Sequence, residues 1–446
     1  PDLWSFRSLY LDLTVETETL ATETTGRSLD TNASPHLSSD QRAQNAAEIR
    51  RLEQKLRALT PEEVELRLAI YPELTELLRN NGTYDRAIIY LEEWLALVDG
   101  REQWEILLDL GDTYKSIGQL DKAEKTFAAL KQAATSLESD DGDKWQGWAS
   151  NRIGDLALTK GNILRARECF EQALTISKRL ASAKPQSERL QRDLGVSNNK
   201  LGDLARAQGQ LAEAQTRYEQ ALLISERLAG ANPQSEELQR DLGISYEKLG
   251  DLAQAQGQLA EAQVRYESAL SMSERLAAAN PQSEQLQRDL VIAYIRLGDL
   301  AQAQGDLTSA GERYEQALAI SERLASANPQ SEELQRDLAV SYYKIGQHQL
   351  AQGKTAAAVP YFRKSLNITL QLLRKNLASV QLREDAVGDF AELASCYQTL
   401  QDTAALQALR QEKVDFYASL QAQAPGEAWI AEALAAARAE VAGTDG

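Results

Sequence analysis

Apolar residues recur along this chain at helical spacing, and the whole pattern recurs every 48 residues. Between Ser187 and Gln208 the apolar stripe is Leu190, Leu194, Leu201, Leu204 and Ala205, which predicts one amphipathic helix. Gly209 ends it, as a glycine past the last turn often does. From Leu211 to Ala229, the residues Ala214, Tyr218, Ala221, Leu222 and Leu228 share one face and predict a second helix. Asn232-Pro233 then restarts the cycle. Pro185, Pro233, Pro281 and Pro329 open four such blocks, each beginning near PQSEELQRDL. The second and third blocks agree at about two thirds of their positions, the mark of a repeat architecture. Units of this kind touch only their neighbours, so the chain reads as one elongated stack rather than several globular domains.

Outside the central repeats the pattern weakens. A helix is predicted from Asp40 to Leu59 through Ile49, Leu52 and Leu56. Thr60-Pro61 reads as a helix start, with Thr as N-cap and Pro at the first helical position. Pro72 interrupts the next stretch after Tyr71. Residues 14–38 are rich in Thr, Ser and Asn without an apolar period, and read as a linker. Residues 1–13 carry Trp4, Phe6 and Tyr10, which either pad an end of the stack or belong to an upstream domain. The expected organisation is a segment and linker over 1–38, capping helices over 39–67, a solenoid of about eight helix pairs over 68–426, and a closing helix and tail over 427–446.

Composition agrees with an all-α chain: Ala, Leu, Gln, Glu and Arg dominate, while Val and Ile are scarce. The net charge of -18 leaves no positive footprint for nucleic acid and disfavours an anionic membrane surface. It favours basic partners. No run of about 18 apolar residues exists to span a bilayer. The opening PDLWSFRSLYLDL lacks the order of a signal peptide and lacks an initiator Met, so a piece of a longer polypeptide is expected. Cys169 and Cys396 give no disulfide framework and fit a reducing cytoplasm.

Gly202, Ala205, Ala214, Tyr218 and Ala221 fall at the spacing of the tetratricopeptide signature, and the chain resembles that family. The set returns as Gly250, Ala253, Ala262, Tyr266 and Ala269, and as Gly298, Ala301, Ala310, Tyr314 and Ala317. Earlier units give Gly111, Tyr114, Ala123 and Phe127, then Gly154, Ala157, Ala166, Phe170 and Ala173. A later one gives Gly346, Ala358 and Phe362, and a degenerate one spans about 387–420. The resemblance implies a right-handed α-solenoid of antiparallel helix pairs. The usual unit is 34 residues; here each helix gains about two turns, which keeps its apolar stripe facing the neighbour. Gly202 and its equivalents are expected to allow close helix approach, and the aromatic residues to fill the space between units. The resemblance also implies a non-catalytic module that binds a protein or peptide, within a larger signalling or regulatory protein. An alternative is a sensor or autoinhibitory arm of an effector such as an ATPase or protease.

No CxxC, HExxH, GxSxG or GxxxxGK[ST] pattern appears. His348 and Cys396 occupy one position in consecutive units, so a Cys–His nucleophilic pair is a remote enzymatic alternative. Against it, the same position is Leu156, Leu204, Leu252 and Leu300 elsewhere, which reads as packing. No cofactor or metal is expected.

By position in the family, the groove is lined by the first helix of each unit. That nominates Trp148, Asn151 and Asp155, then Asn199, Asp203 and Arg206, then Glu247, Asp251 and Gln254. Ile295, Asp299 and Gln302 follow, with Tyr343 and Gln347. An Asp recurs as Asp112, Asp155, Asp203, Asp251 and Asp299. It makes either an acidic groove suited to a basic or amphipathic peptide, or a bond between units. Trp94 and Trp104 read as core residues and Trp148 as a contact.

Overall fold

The computed structural model describes residues 39–136, 139–329, 331–377 and 379–442. The readings made for 1–38 and for the last four residues of the tail lie outside them. The described residues form helices and turns, with no strand among them. The chain divides into two compact units, 1–293 and 294–446. The first contains α1 (Ser39–Ala58), α2 (Val64–Leu68), α3 (Tyr71–Asn80), α4 (Tyr84–Leu95), α5 (Glu102–Ser116) and α6 (Leu120–Thr135). It continues with α7 (Asp140–Thr159), α8 (Ile163–Ala183), α9 (Glu188–Ala207), α10 (Leu211–Ala231), α11 (Glu236–Ala255) and α12 (Leu259–Ala279). The helix α13 (Glu284–Ala303) begins in the first unit and ends in the second. The second holds α14 (Leu307–Ala327), α15 (Glu332–Ala351), α16 (Thr355–Lys375), α17 (Val380–Thr399), α18 (Thr403–Gln423) and α19 (Ala428–Ala442). Within each unit every long helix packs on its sequence neighbours, as a solenoid of helix pairs does.

The turns follow from local chemistry. After each Pro-Gln, a serine caps the next helix: Ser187, Ser235 and Ser331 accept from the amides of Leu190, Leu238 and Leu334. The first helix of each pair ends on a glycine with positive φ, among them Gly209 at 72° and Gly257 at 74°. A left-handed residue there lets the chain reverse, and a side chain at that φ is strained. Gln401 takes the same place in the degenerate unit at φ 56°.

Two local readings are corrected. Pro61 does not open a helix: Thr60 and Glu63 close a turn, with the Thr60 amide donating to Glu63 Oε2 at 2.7 Å, and α2 starts at Val64. Pro72 does not follow a helix end either. It sits in the first turn of α3, where its missing N–H needs no partner.

The repeating glycine has one specific neighbour. A Cβ on Gly202 would lie 2.5 Å from Cε1 of Tyr218, and one on Gly250 2.5 Å from Tyr266. Gly111 with Phe127, Gly154 with Phe170, Gly298 with Tyr314 and Gly346 with Phe362 repeat the contact. The two roles expected separately, close approach and space filling, are therefore one ring-in-notch contact inside each pair. Gly195 in the same helix differs, since its added Cβ would meet Ile224 at an ordinary 3.8 Å. Two Gly→Ala changes in α9 should thus have opposite signs. Gly195→Ala should gain up to about 1 kcal/mol of helix propensity, while Gly202→Ala should lose about 1–3 kcal/mol through overpacking. Urea denaturation followed by circular dichroism decides this; equal shifts of one sign would refute it.

Candidate partner-binding face

The fourteen nominated residues all lie on first helices of their pairs, and none is exposed. In the first unit Trp148, Asn151, Asp155, Asn199, Asp203 and Asp251 are buried, while Arg206, Glu247 and Gln254 are half-buried. In the second, Ile295 and Tyr343 are buried, and Asp299, Gln302 and Gln347 are half-buried. Gln254 Oε1 lies 3.0 Å from the Tyr266 hydroxyl. Tyr343 seats its ring on Phe362 and donates to Glu392 at 3.0 Å.

The recurring aspartate is held from two sides. Tyr218, Tyr266 and Tyr314 each donate a hydroxyl to Asp203, Asp251 and Asp299 at 2.6 Å. A lysine of the following repeat meets the same carboxylate: Lys248 to Asp203 at 3.1 Å and Lys344 to Asp299 at 2.7 Å. Lys200 and Asp155 form the equivalent ion pair at 3.1 Å, and Arg152 reaches Asp112 at 3.0 Å. Arg206 lies 3.4 Å from Asp251. These carboxylates have their counter-charges inside the stack. The lysines carry no signal within one repeat. Their signal is a Lys 45 residues after Asp155, Asp203 and Asp299, visible only when repeats are aligned. A second set spans 49 residues, with Arg192 on Asp241, Arg240 on Asp289 and Arg336 on Asp385.

Removing one partner strands the other. Lys248 keeps only 2% of its side-chain surface in solvent. Asp203→Ala should therefore cost about 3–5 kcal/mol, and the double change Asp203→Leu with Lys248→Met should recover most of it. Denaturant midpoints of the three proteins test this, and a single variant as stable as wild type would refute it.

Trp148 is held by two cations and by a hydrogen bond at its edge. Its indole donates to Asp193 at 3.1 Å, and Lys144 and Arg189 stand 4.9 and 4.8 Å from its ring centroid. Trp104, Trp145 and Trp148 form an edge-to-face series. Trp94 stacks on Tyr71.

Three clefts repeat along the first unit at the 48-residue period. They open beside Gly147, Gly195 and Gly243, between one helix pair and the next first helix. Their volumes, open solvent included, are about 280, 450 and 530 Å³. The smallest is the one that Trp148 enters; Val196 and Ile244 take its place in the other two.

The His348 and Cys396 side chains sit in packing sites. His348 is buried against Tyr314, in the notch left by Gly311, where a Cβ would lie 2.7 Å from Nε2. Its Nε2 is 2.7 Å from Gln352 Nε2, and Nδ1 has no partner. Burial of Cys396 pushes its thiol up to about 11, with Glu392 adding to the effect, which is opposite to the activation a nucleophilic cysteine needs. Burial, with help from Lys354, lowers the His348 pKa, and Glu315 opposes them. The unfolded chain therefore takes this proton first, so stability falls as pH drops below the unfolded value of about 6.5. His348→Leu, the residue of the equivalent position in four other repeats, should shrink the loss of melting temperature between pH 7.5 and 5. An unchanged loss would refute the assignment.

Two family models described as tetratricopeptide repeat match the chain, one over residues 192–275 and 289–371, the other over 105–134 and 149–179. The chain belongs to the tetratricopeptide repeat family. Proteins built of such repeats are in general non-catalytic interaction modules, and protein partners are the coarse expectation here. No curated protein matches the chain. Among solved structures, BtubC from P. vanneervenii is 23% identical, covering 60% of this chain and 93% of that one at a TM-score of 0.41. A thermophilic TPR protein of Thermus thermophilus is 17% identical, covering 55% and 99% at 0.32. Aspartyl phosphate phosphatase F from Bacillus subtilis is 14% identical, covering 69% and 72% at 0.44. No helix among the described residues is long and apolar enough to cross a membrane.

Proposed function

We propose that this tetratricopeptide repeat chain is a non-catalytic recognition module that holds a protein or peptide against the first helices of its pairs. In the first unit these are α7, α9 and α11. The partner is basic or amphipathic, drawn by the net charge of -18. The module serves a larger cytoplasmic signalling or regulatory protein, and an effector domain in the same polypeptide is the natural recipient of the binding signal.

The observation that carries this reading is a division of labour within each repeat. The glycine, the aromatic ring and an aspartate paired with a cation recur from repeat to repeat and are consumed by packing. Around the clefts the residues change instead, from Trp148 to Val196 to Ile244, and from Asn151 to Asn199 to Glu247. A scaffold that keeps its packing residues and varies beside its clefts suits recognition.

The test uses the full chain with a photo-crosslinking amino acid in place of Glu247, in extract of the source cells. One dominant protein should be trapped, and its yield should fall as salt rises, because a basic partner is screened. No trapped protein, or a yield indifferent to salt, would overturn the reading.

A further inference from the structure

The second helices of the pairs differ sharply in charge. Two of their positions carry exposed glutamates in successive repeats: Glu219, Glu267 and Glu315 at one, Glu226, Glu274 and Glu322 at the other. The helix α16 has neither. Arg363 stands at the first position and Leu370 at the second, and no acid occurs from Thr355 to Lys375. Its cations are Arg363, Lys364, Arg374 and Lys375, with Lys354 just before it. Arg363 is spent on Glu412 at 2.6 Å. The other four are exposed, and none of them forms an ion pair among the described residues. Lys364 lies over the Tyr342 ring at 4.6 Å and Arg374 over Phe416 at 5.1 Å, contacts that leave both charges without a counter-ion. Lys364, Asn367, Gln371 and Lys375 follow one another at helical spacing, so an exposed stripe about 16 Å long carries positive charge and no negative charge. In a chain of net charge -18 that stripe is an exception.

A complementary surface lies on α10 and α12, in the first unit. On α10 an exposed stripe holds Glu219, Leu223 and Glu226, and on α12 the equivalent stripe holds Val264 and Glu267. Leu223 and Val264 keep 69% and 61% of their surface in solvent. Glu219 and Glu267 accept from the side-chain amides of Gln215 and Gln263 at 3.0 and 2.9 Å, and Glu226 from the Tyr246 hydroxyl at 3.2 Å. None of the three forms an ion pair among the described residues. Uncovered aliphatic groups rimmed by unpaired carboxylates have the make-up of a small docking surface.

We infer that α16 of one copy of this chain docks on the α10 and α12 face of another copy. The cations of α16 meet Glu219, Glu226 and Glu267, and the aliphatic stems of Lys364 and Lys375 cover Leu223 and Val264. Two different surfaces meet, so the contact is heterologous: each copy offers both, and copies join head to tail rather than as a two-fold pair. A second copy is favoured over a foreign acidic partner because this chain itself supplies the unpaired carboxylates and the uncovered aliphatic groups beside them. The net charge opposes approach from a distance, but at physiological salt it is screened beyond about 8 Å and local contacts decide. The contact uses neither the clefts nor the first helices, so it stands apart from the recognition reading.

Sedimentation velocity of the full chain tests this by charge exchange. The wild type should associate as its concentration rises. Lys364→Glu with Lys375→Glu in one chain, and Glu219→Lys with Glu267→Lys in another, should each abolish association, because each gives one copy two surfaces of like charge. All four positions are exposed, and circular dichroism confirms that both variants keep their helicity. An equimolar mixture of the two double variants should associate again, since every contact between unlike copies is then complementary. A wild type that stays monomeric up to about 100 μM overturns the proposal. So do variants that associate like the wild type, or a mixture that stays monomeric. If a monomeric wild type is captured on polyglutamate beads and the Lys364→Glu, Lys375→Glu chain is not, the face serves a foreign acidic partner and the second copy is refuted. None of these outcomes touches the recognition reading, which is tested through Glu247.

Discussion

Six of the helix pairs are each organised around an aromatic ring seated on a bare backbone. Tyr218 lies where the side chain of residue 202 would be, so that residue must be glycine. The ring enters at the depth of the helix backbone, and its hydroxyl is thereby delivered to Asp203. That placement in turn fixes the carboxylate for the lysine of the following repeat. One steric condition inside a pair thus leads to a polar contact between pairs. Where the ring is Phe170, the hydroxyl is missing, yet Asp155 still meets Lys200. The notch is therefore the primary requirement and the hydroxyl an addition to it.

The ion pairs change how the charge of this chain should be understood. A count of acids suggests a strongly negative inner face. The burial of Asp203 beside Lys248, and the Arg240–Asp289 contact, show that part of this charge is neutralised within the stack. The surplus that a partner meets comes from elsewhere on the surface. The net charge of -18 acts over a distance, while the surface exposed inside the clefts is mostly apolar.

Much of the fold was legible because repetition averages out local noise. The helices predicted over Ser187–Gln208 and Leu211–Ala229 are observed as Glu188–Ala207 and Leu211–Ala231. Isolated signals fared worse. Thr60-Pro61 has the composition of a helix start, but Glu63 bonds back to the Thr60 amide and holds a turn. The face was half legible. Its helices followed from the family pattern, but a single unit cannot show that Asp203 is neutralised by a residue of the next one. Nor could the sequence separate Gly195 from Gly202, both mid-helix glycines, since only the position of Ile224 and Tyr218 tells an open site from a filled one.

The contacts between repeats have a consequence for how such a chain can change length. Asp155 with Lys200 and Asp203 with Lys248 use the same spacing, as do Arg192 with Asp241 and Arg240 with Asp289. Excising any 48 consecutive residues of the central blocks rejoins an aspartate to a lysine or arginine of identical position. Duplication does the same. Recombination between the near-identical blocks therefore yields shorter or longer arrays with every junction already satisfied, so the number of repeats is free to drift while their geometry is not.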